Sequence, residues 1–190
     1  MSADAVVRPM DSSNIGDRLK LCWGHLSDWE KLTVVNRSRR WLEETNRVFS
    51  PTTFIAYVSD AAVCMIEFLP LGLAASVNLC PCRMDAENHE VVERYVMGPE
   101  YSDHLFICCL MVRGKNQGKG VGTMLLNHFL ASRVFAEHGG VLVYVMERDP
   151  SWESFIHWPA GPREFYEKRG FRQVKTLENP RGYLLSIPKK

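Results

Sequence analysis

Leu105-Phe-Ile-Cys-Cys-Leu110-Met111-Val112-Arg-Gly114-Lys-Asn-Gln117-Gly118-Lys119-Gly120-Val121-Gly122-Thr123-Met124 is the stretch that decides the fold. From His104 to Val112 the residues are apolar on both faces of an extended chain, which predicts a central, buried strand. Beyond the glycines, Val121, Met124, Leu125 and Phe129 recur at helical spacing and mark a core-facing helix. Strand therefore passes to helix through a loop with glycine at every second position. Such a loop suits an anion. Glycine lets the backbone approach closely, and the first N–H groups of a helix point outward without partners of their own.

Near the N-terminus, Val6-Val-Arg8-Pro9 reads as a first short strand, with Asp11 or Ser12 capping a helix that runs to about Ser27. Arg37 to Phe49 is a second helix anchored by Trp41, Leu42 and Val48, and Ser50-Pro51 ends it. Phe54–Val58 and Val63–Leu69 flank Ser59-Asp60-Ala61 as an antiparallel hairpin. Val91 to Met97 is a short helix closed by Gly98-Pro99. After the glycine loop, one helix extends to Gly139-Gly140, and Val141–Met146 is another buried strand. Pro162 opens a helix over residues 163–169, Gly170 stops it, Phe171 starts a return strand, and Leu184–Ile187 is the last strand. The order predicts an α/β fold, a mixed central sheet with helices on both faces, built as one domain over residues 1–190.

Size and charge narrow the function. A chain of 190 residues with net charge +1 offers no bulk attraction to nucleic acid or an anionic membrane. The apolar run from Ala61 to Leu79 is interrupted by Glu67, Pro70, Gly72 and Asn78, so it is not a membrane span. The polar Met1-Ser-Ala-Asp-Ala start carries no leader pattern, and six cysteines without framework spacing fit a reduced, cytoplasmic protein. Strand alternation places the neighbours Cys108 and Cys109 on opposite faces. Cys80-Pro-Cys82 with His89 falls one ligand short of a structural zinc site, so no metal is expected. A homodimer is left open.

Two glycine-loop chemistries fail on spacing. A phosphate-binding P-loop needs four residues between its first glycine and Gly-Lys, then a Ser or Thr for magnesium. Here Gly114 stands one residue too close to Gly118-Lys119, and Gly120 follows. A dinucleotide fold needs Gly-x-Gly-x-x-Gly early in the chain, whereas Gly118-x-Gly120-x-Gly122 comes late. The register of Val112, Gln117, Gly120 and Gly122 instead resembles the coenzyme-A loop of the GNAT acetyltransferase superfamily. Phe165-Tyr166-Glu167-Lys168-Arg169-Gly170-Phe171 resembles that family's Tyr-x-x-x-Gly-Phe signature.

The resemblance implies the GNAT acyl-CoA N-acyltransferase fold and an enzyme moving acetyl from acetyl-CoA to an amine by direct transfer. Two alternatives stand beside it: a non-catalytic acyl-CoA sensor and a protein-interaction module. The resemblance further implies that Gln117, Gly118, Lys119, Gly120, Val121, Gly122 and Thr123 hold the pyrophosphate, and that Leu110, Met111 and Val112 run beside the pantetheine. Tyr166 occupies the position of the acid that protonates the leaving thiolate. His104 is a candidate base because histidine titrates near neutrality and because alternation puts it on one face with Phe106, Cys108, Leu110 and Val112. Glu67, Glu100, Asp103 or a water chain are alternatives to it. Where many family members carry an asparagine, this chain has Glu147, Asp149, Trp152, Glu153, Phe155 and Trp158. Aromatic faces and carboxylates suit a cationic acceptor, either a small amine or a basic side chain; the alternative is an aromatic plug that packs the sheet edge.

Overall fold

The computed structural model describes residues 5–23, 28–76, 90–96, 98–146, 161–178 and 181–189. Cys80, Cys82, His89 and the segment holding Glu147, Asp149, Trp152, Glu153, Phe155 and Trp158 lie outside them. In chain order the elements are β1 (Ala5–Pro9), α1 (Ile15–Trp23), α2 (Asp28–Val48), β2 (Thr53–Val58), β3 (Ala61–Pro70) and α3 (Leu71–Ser76). A π turn (Val92–Val96) and a 3-10 turn (Pro99–Tyr101) precede β4 (His104–Val112). Then come α4 (Val121–Leu130), α5 (Arg133–Ala136), β5 (Gly140–Met146), α6 (Arg163–Glu167), β6 (Arg172–Glu178) and β7 (Arg181–Pro188).

The strands form a seven-stranded sheet in the order β1-β2-β3-β4-β5-β7-β6. Only β4 and β5 run parallel among paired strands, and α4 and α5 make the crossover between them. The β2–β3 hairpin turns on Ser59 and Asp60, both left-handed at φ +49° and +58°, which matches the twist of the strands it joins. The helix expected to reach Gly139 breaks instead after Leu130. Ser132 caps a new turn by accepting the Phe135 N–H at 3.3 Å. The second helix starts at Asp28, nine residues before the expected Arg37.

One face of the sheet packs on α4. Leu105, Ile107 and Leu110 of β4 meet Val121, Leu125 and Phe129 there, with Phe68 ring-to-ring against Phe129 at 4.5 Å. The other face carries two clusters. One joins α1 and α2 to β2, β3 and Cys109; the other joins the β3–β4 connection to Phe106, Cys108, Tyr144 and Leu184. Cys108 and Cys109 therefore face the same side, contrary to plain alternation. The cause is a bulge: Glu67 pairs with Cys109 and Phe68 with Ile107, which leaves Cys108 as an extra residue in β4. No helix among the described residues is long and apolar enough to cross a membrane.

Candidate active site

β4 pairs with β3 as far as Val112, but with β5 only over His104–Ile107. The remainder of β5, Tyr144 to Met146, is paired to β7 alone. The two parallel strands therefore part at the Cys108 bulge, and the sheet opens along Cys108–Val112. Among the described residues, backbone groups of β4 on that side have no strand neighbour, which is a ready edge for an extended ligand.

The glycine loop stands at the end of this opening. Gln117 Nε2 donates to the Val112 carbonyl at 3.1 Å and pins the loop to the strand. Gly118 and Gly120 hold φ of +71° and +81°, and Gly120 is the residue from which α4 departs. The Met124 N–H reaches the Gly120 carbonyl at 2.9 Å. The N–H groups of Val121, Gly122 and Thr123 ahead of it belong to the first helical turn and have no acceptor within the helix. At Gly122 a Cβ would stand 3.1 Å from Val112 Cγ2, so the missing side chain lets α4 start close against the strand end. Lys119 is exposed on the loop.

Tyr166, on α6, is fully buried between Phe165 and Phe171 at ring distances of 5.1 and 5.2 Å. Its hydroxyl is buried and has no hydrogen-bond partner among the described residues. Burial holds its pKa well above the ordinary phenol value. The nearby Cys109 and Cys64 thiols push the same way, and Arg169 opposes them. Those neighbours place the hydroxyl beside the β4 bulge. Arg169 bonds Thr123 Oγ1 and the Phe165 carbonyl, and its guanidinium lies 4.0 Å from the Phe165 ring centre. A cation thus sits at the first turn of α4. Arg169 was visible in the sequence only as a variable position of the Tyr-x-x-x-Gly-Phe pattern. Its partner Thr123 is 46 residues away, so no local signal could reveal the contact.

The structure brings Leu110, Met111, Val112, the loop from Gln117 to Thr123, and Tyr166 to the open end of the sheet. It does not bring His104 there. His104 pairs with Gly140 at the closed end, five residues or about 17 Å along the strand from Cys109. Its ring stands edge-on to Tyr101 at 5.3 Å, and burial lowers its pKa, partly offset by Asp103. The expected shared face also fails, because Leu110 and Val112 lie on the α4 side of the bulge and Phe106 and Cys108 on the other.

Buried beneath the bulge is a pair that the sequence reading did not make. Arg18 of α1 donates from Nε and Nη2 to Glu67 Oε2 at 2.9 and 2.7 Å, with both side chains 1% exposed. Among the described residues no cluster of His, Cys, Asp and Glu is gathered that could hold a metal ion.

Residues 84–173 match the sequence profile of the acetyltransferase (GNAT) domain. Solved structures share the architecture. An N-acetyltransferase from Staphylococcus aureus Mu50 is 14% identical, with 99% of this chain and 100% of that one covered at a TM-score of 0.59. The ribosomal-protein-S18-alanine N-acetyltransferase from Escherichia coli is 12% identical, with 98% and 94% covered at 0.54. The NatC complex bound to Gag peptide and CoA contributes a chain 14% identical, with 98% and 99% covered at 0.57. The matched residues hold β4, the glycine loop and Tyr166, so the likeness to the GNAT domain falls on the candidate site. The chain has the GNAT acyl-CoA N-acyltransferase fold, and the matched domain supports acyl transfer. No curated protein is significantly similar to this chain in sequence.

Proposed function

We propose that the chain, as one catalytic domain over residues 1–190, transfers acetyl from acetyl-CoA directly to an amine in a ternary complex. The observation that carries this reading is the buried Tyr166 hydroxyl, without a partner among the described residues, at the place where β4 leaves β5. A buried donor without an acceptor is costly, and an incoming ligand atom satisfies it.

The residues divide the work. Loop N–H groups from Gly118 to Thr123 bind the pyrophosphate, with Arg169 adding positive charge beside Thr123. The free edge of Leu110–Val112 pairs with the pantetheine arm. A backbone N–H at the bulge polarises the thioester carbonyl. Tyr166 gives its proton to the thiolate as the C–S bond breaks; the neutral amine forms the C–N bond and releases one proton to solvent, and the Tyr166 phenolate takes one back from solvent, so protons and charge balance. Burial that raises the phenol keeps it protonated, and the same dry surroundings raise the proton affinity of the thiolate. The acceptor is an amine. The name of the NatC neighbour pairs that protein with a peptide and CoA, which supports the same chemistry here.

Acetyl-CoA should raise the melting temperature, and free thiol should appear with at least one member of an amine panel. A thermal shift without thiol release on any amine would leave a sensor; no shift at all would remove acetyl-CoA from the reading. Gly120→Asp tests the loop. The position is left-handed, which aspartate tolerates better than most residues, and a Cβ there meets nothing within 4 Å. The variant should fold, yet its carboxylate should repel the pyrophosphate and weaken acetyl-CoA binding by about tenfold or more. Wild-type affinity by calorimetry would show that the loop does not hold the anion.

A further inference from the structure

On the face opposite α4, the boundary between the two apolar clusters falls between Cys108 and Cys109, at the point where β4 parts from β5. Trp41 of α2 packs against both clusters and so bridges the two sides of the opening. Its height along the sheet follows from its neighbours. Asn46, further along α2, accepts from Thr52 Oγ1 at 2.9 Å and donates to the Met10 carbonyl at 3.4 Å. Thr53 pairs with Glu67, and Glu67 with Cys109, so Asn46 is level with Cys109. Phe49, beyond Asn46, meets the Phe68 ring at 6.4 Å toward the closed end. Trp41 precedes Asn46 by five residues, about 7.5 Å of helix. It therefore lies toward the open end, near the level of Met111.

The Trp41 indole Nε1 is buried, with no hydrogen-bond partner among the described residues. An indole N–H donates only, so it cannot bind an ammonium and requires an oxygen or another acceptor atom. The loop and Tyr166 occupy the α4 side, which leaves the Trp41 side for the amine. This step rests on the acetyl-transfer reading above.

We propose that Trp41 is a specificity-determining residue whose indole N–H donates to a carbonyl oxygen adjacent to the reacting nitrogen, selecting α-amines of amino-acid amides and peptides. The α-amine of an amino-acid amide or peptide has such an oxygen on the carbonyl carbon bonded to its Cα. The terminal amine of an alkyl chain or a lysine side chain does not, and it would leave the indole unpaired. A site built around one buried donor discriminates strongly against ligands that lack its acceptor.

The test needs a binding signal that is independent of turnover. The indole ¹⁵N–H resonance of Trp41 is assigned by its loss in Trp41→Phe, and the CoA-bound parent is titrated with alanylalanine amide and with butylamine. The resonance should move with the dipeptide amide and stay with butylamine. In thiol-release assays, Trp41→Phe should raise KM for the dipeptide amide about tenfold, with kcat and the acetyl-CoA KM unchanged and butylamine kinetics unaltered. A resonance that ignores the dipeptide amide, or equal KM increases for both amines, would overturn the role of Trp41. A resonance shift without turnover on any amine would overturn acetyl transfer and leave the α-amine contact standing. If Trp41→Phe fails to fold, the parent titration still decides, because the chemical-shift response requires no variant beyond assignment and Trp41→Tyr can supply that.

Discussion

Tyr166→Phe should lose about 10²- to 10⁴-fold in kcat while acetyl-CoA binds as before. The substitution keeps the ring that Phe165 and Phe171 enclose and deletes only the hydroxyl. Because that hydroxyl is buried and unpaired, its removal should leave the free protein as stable as the parent or stabilise it by about 1 kcal/mol. Higher stability with lower turnover is the pattern of a group held for chemistry at a cost to folding. A packing tyrosine would show the stability change without the fall in kcat. The pH profile offers a second reading. The phenol is raised by burial, so its deprotonation should cause no fall in rate below about pH 10, the ordinary phenol value. Steady-state kinetics with a urea melt decide the matter, and an unchanged kcat would return Tyr166 to the core.

The parts of this site that were legible in the sequence depend on local chemistry. The limits of β4, the glycine loop and the stop at Gly170, where φ is +91°, follow from apolar runs and from the freedom of glycine. The bulge at Cys108 was not legible for a physical reason. A strand that is apolar on both faces reads the same before and after a one-residue slip, so alternation carries no record of it. That slip moved Cys109 to the face of Cys108 and separated His104 from Leu110 and Val112. The distance between His104 and the opening was hidden too, because a sequence does not say at which residue two parallel strands part. Trp41 was readable as an apolar anchor of α2, but its position across two clusters is a property of the assembled sheet. The pairing of Arg18 with Glu67, 49 residues apart, likewise has no local signature.

That pair carries the other large expectation. Arg18→Ala should destabilise the protein by about 3–5 kcal/mol, because it leaves a carboxylate buried without its cation. Set against a typical total of about 5–15 kcal/mol, this is a substantial fraction, and urea unfolding should show it as a lower midpoint. The double variant Arg18→Met with Glu67→Leu should recover most of the loss, since apolar side chains of similar size replace both charges together. A double variant as unstable as Arg18→Ala would mean that shape and hydrogen bonding, more than charge pairing, hold this layer. The double variant also separates structure from chemistry. Both Arg18 donors converge on Oε2, and Glu67 Oε1 has no partner among the described residues, one strand from the bulge and facing the side left open to the amine. If the double variant is stable and turns over normally, the pair is a brace between α1 and β3. If it is stable, binds acetyl-CoA and has lost turnover most severely at low pH, where deprotonating the amine is hardest, then Glu67 is the base. The charge buried beside the opening would then be retained for the proton it accepts.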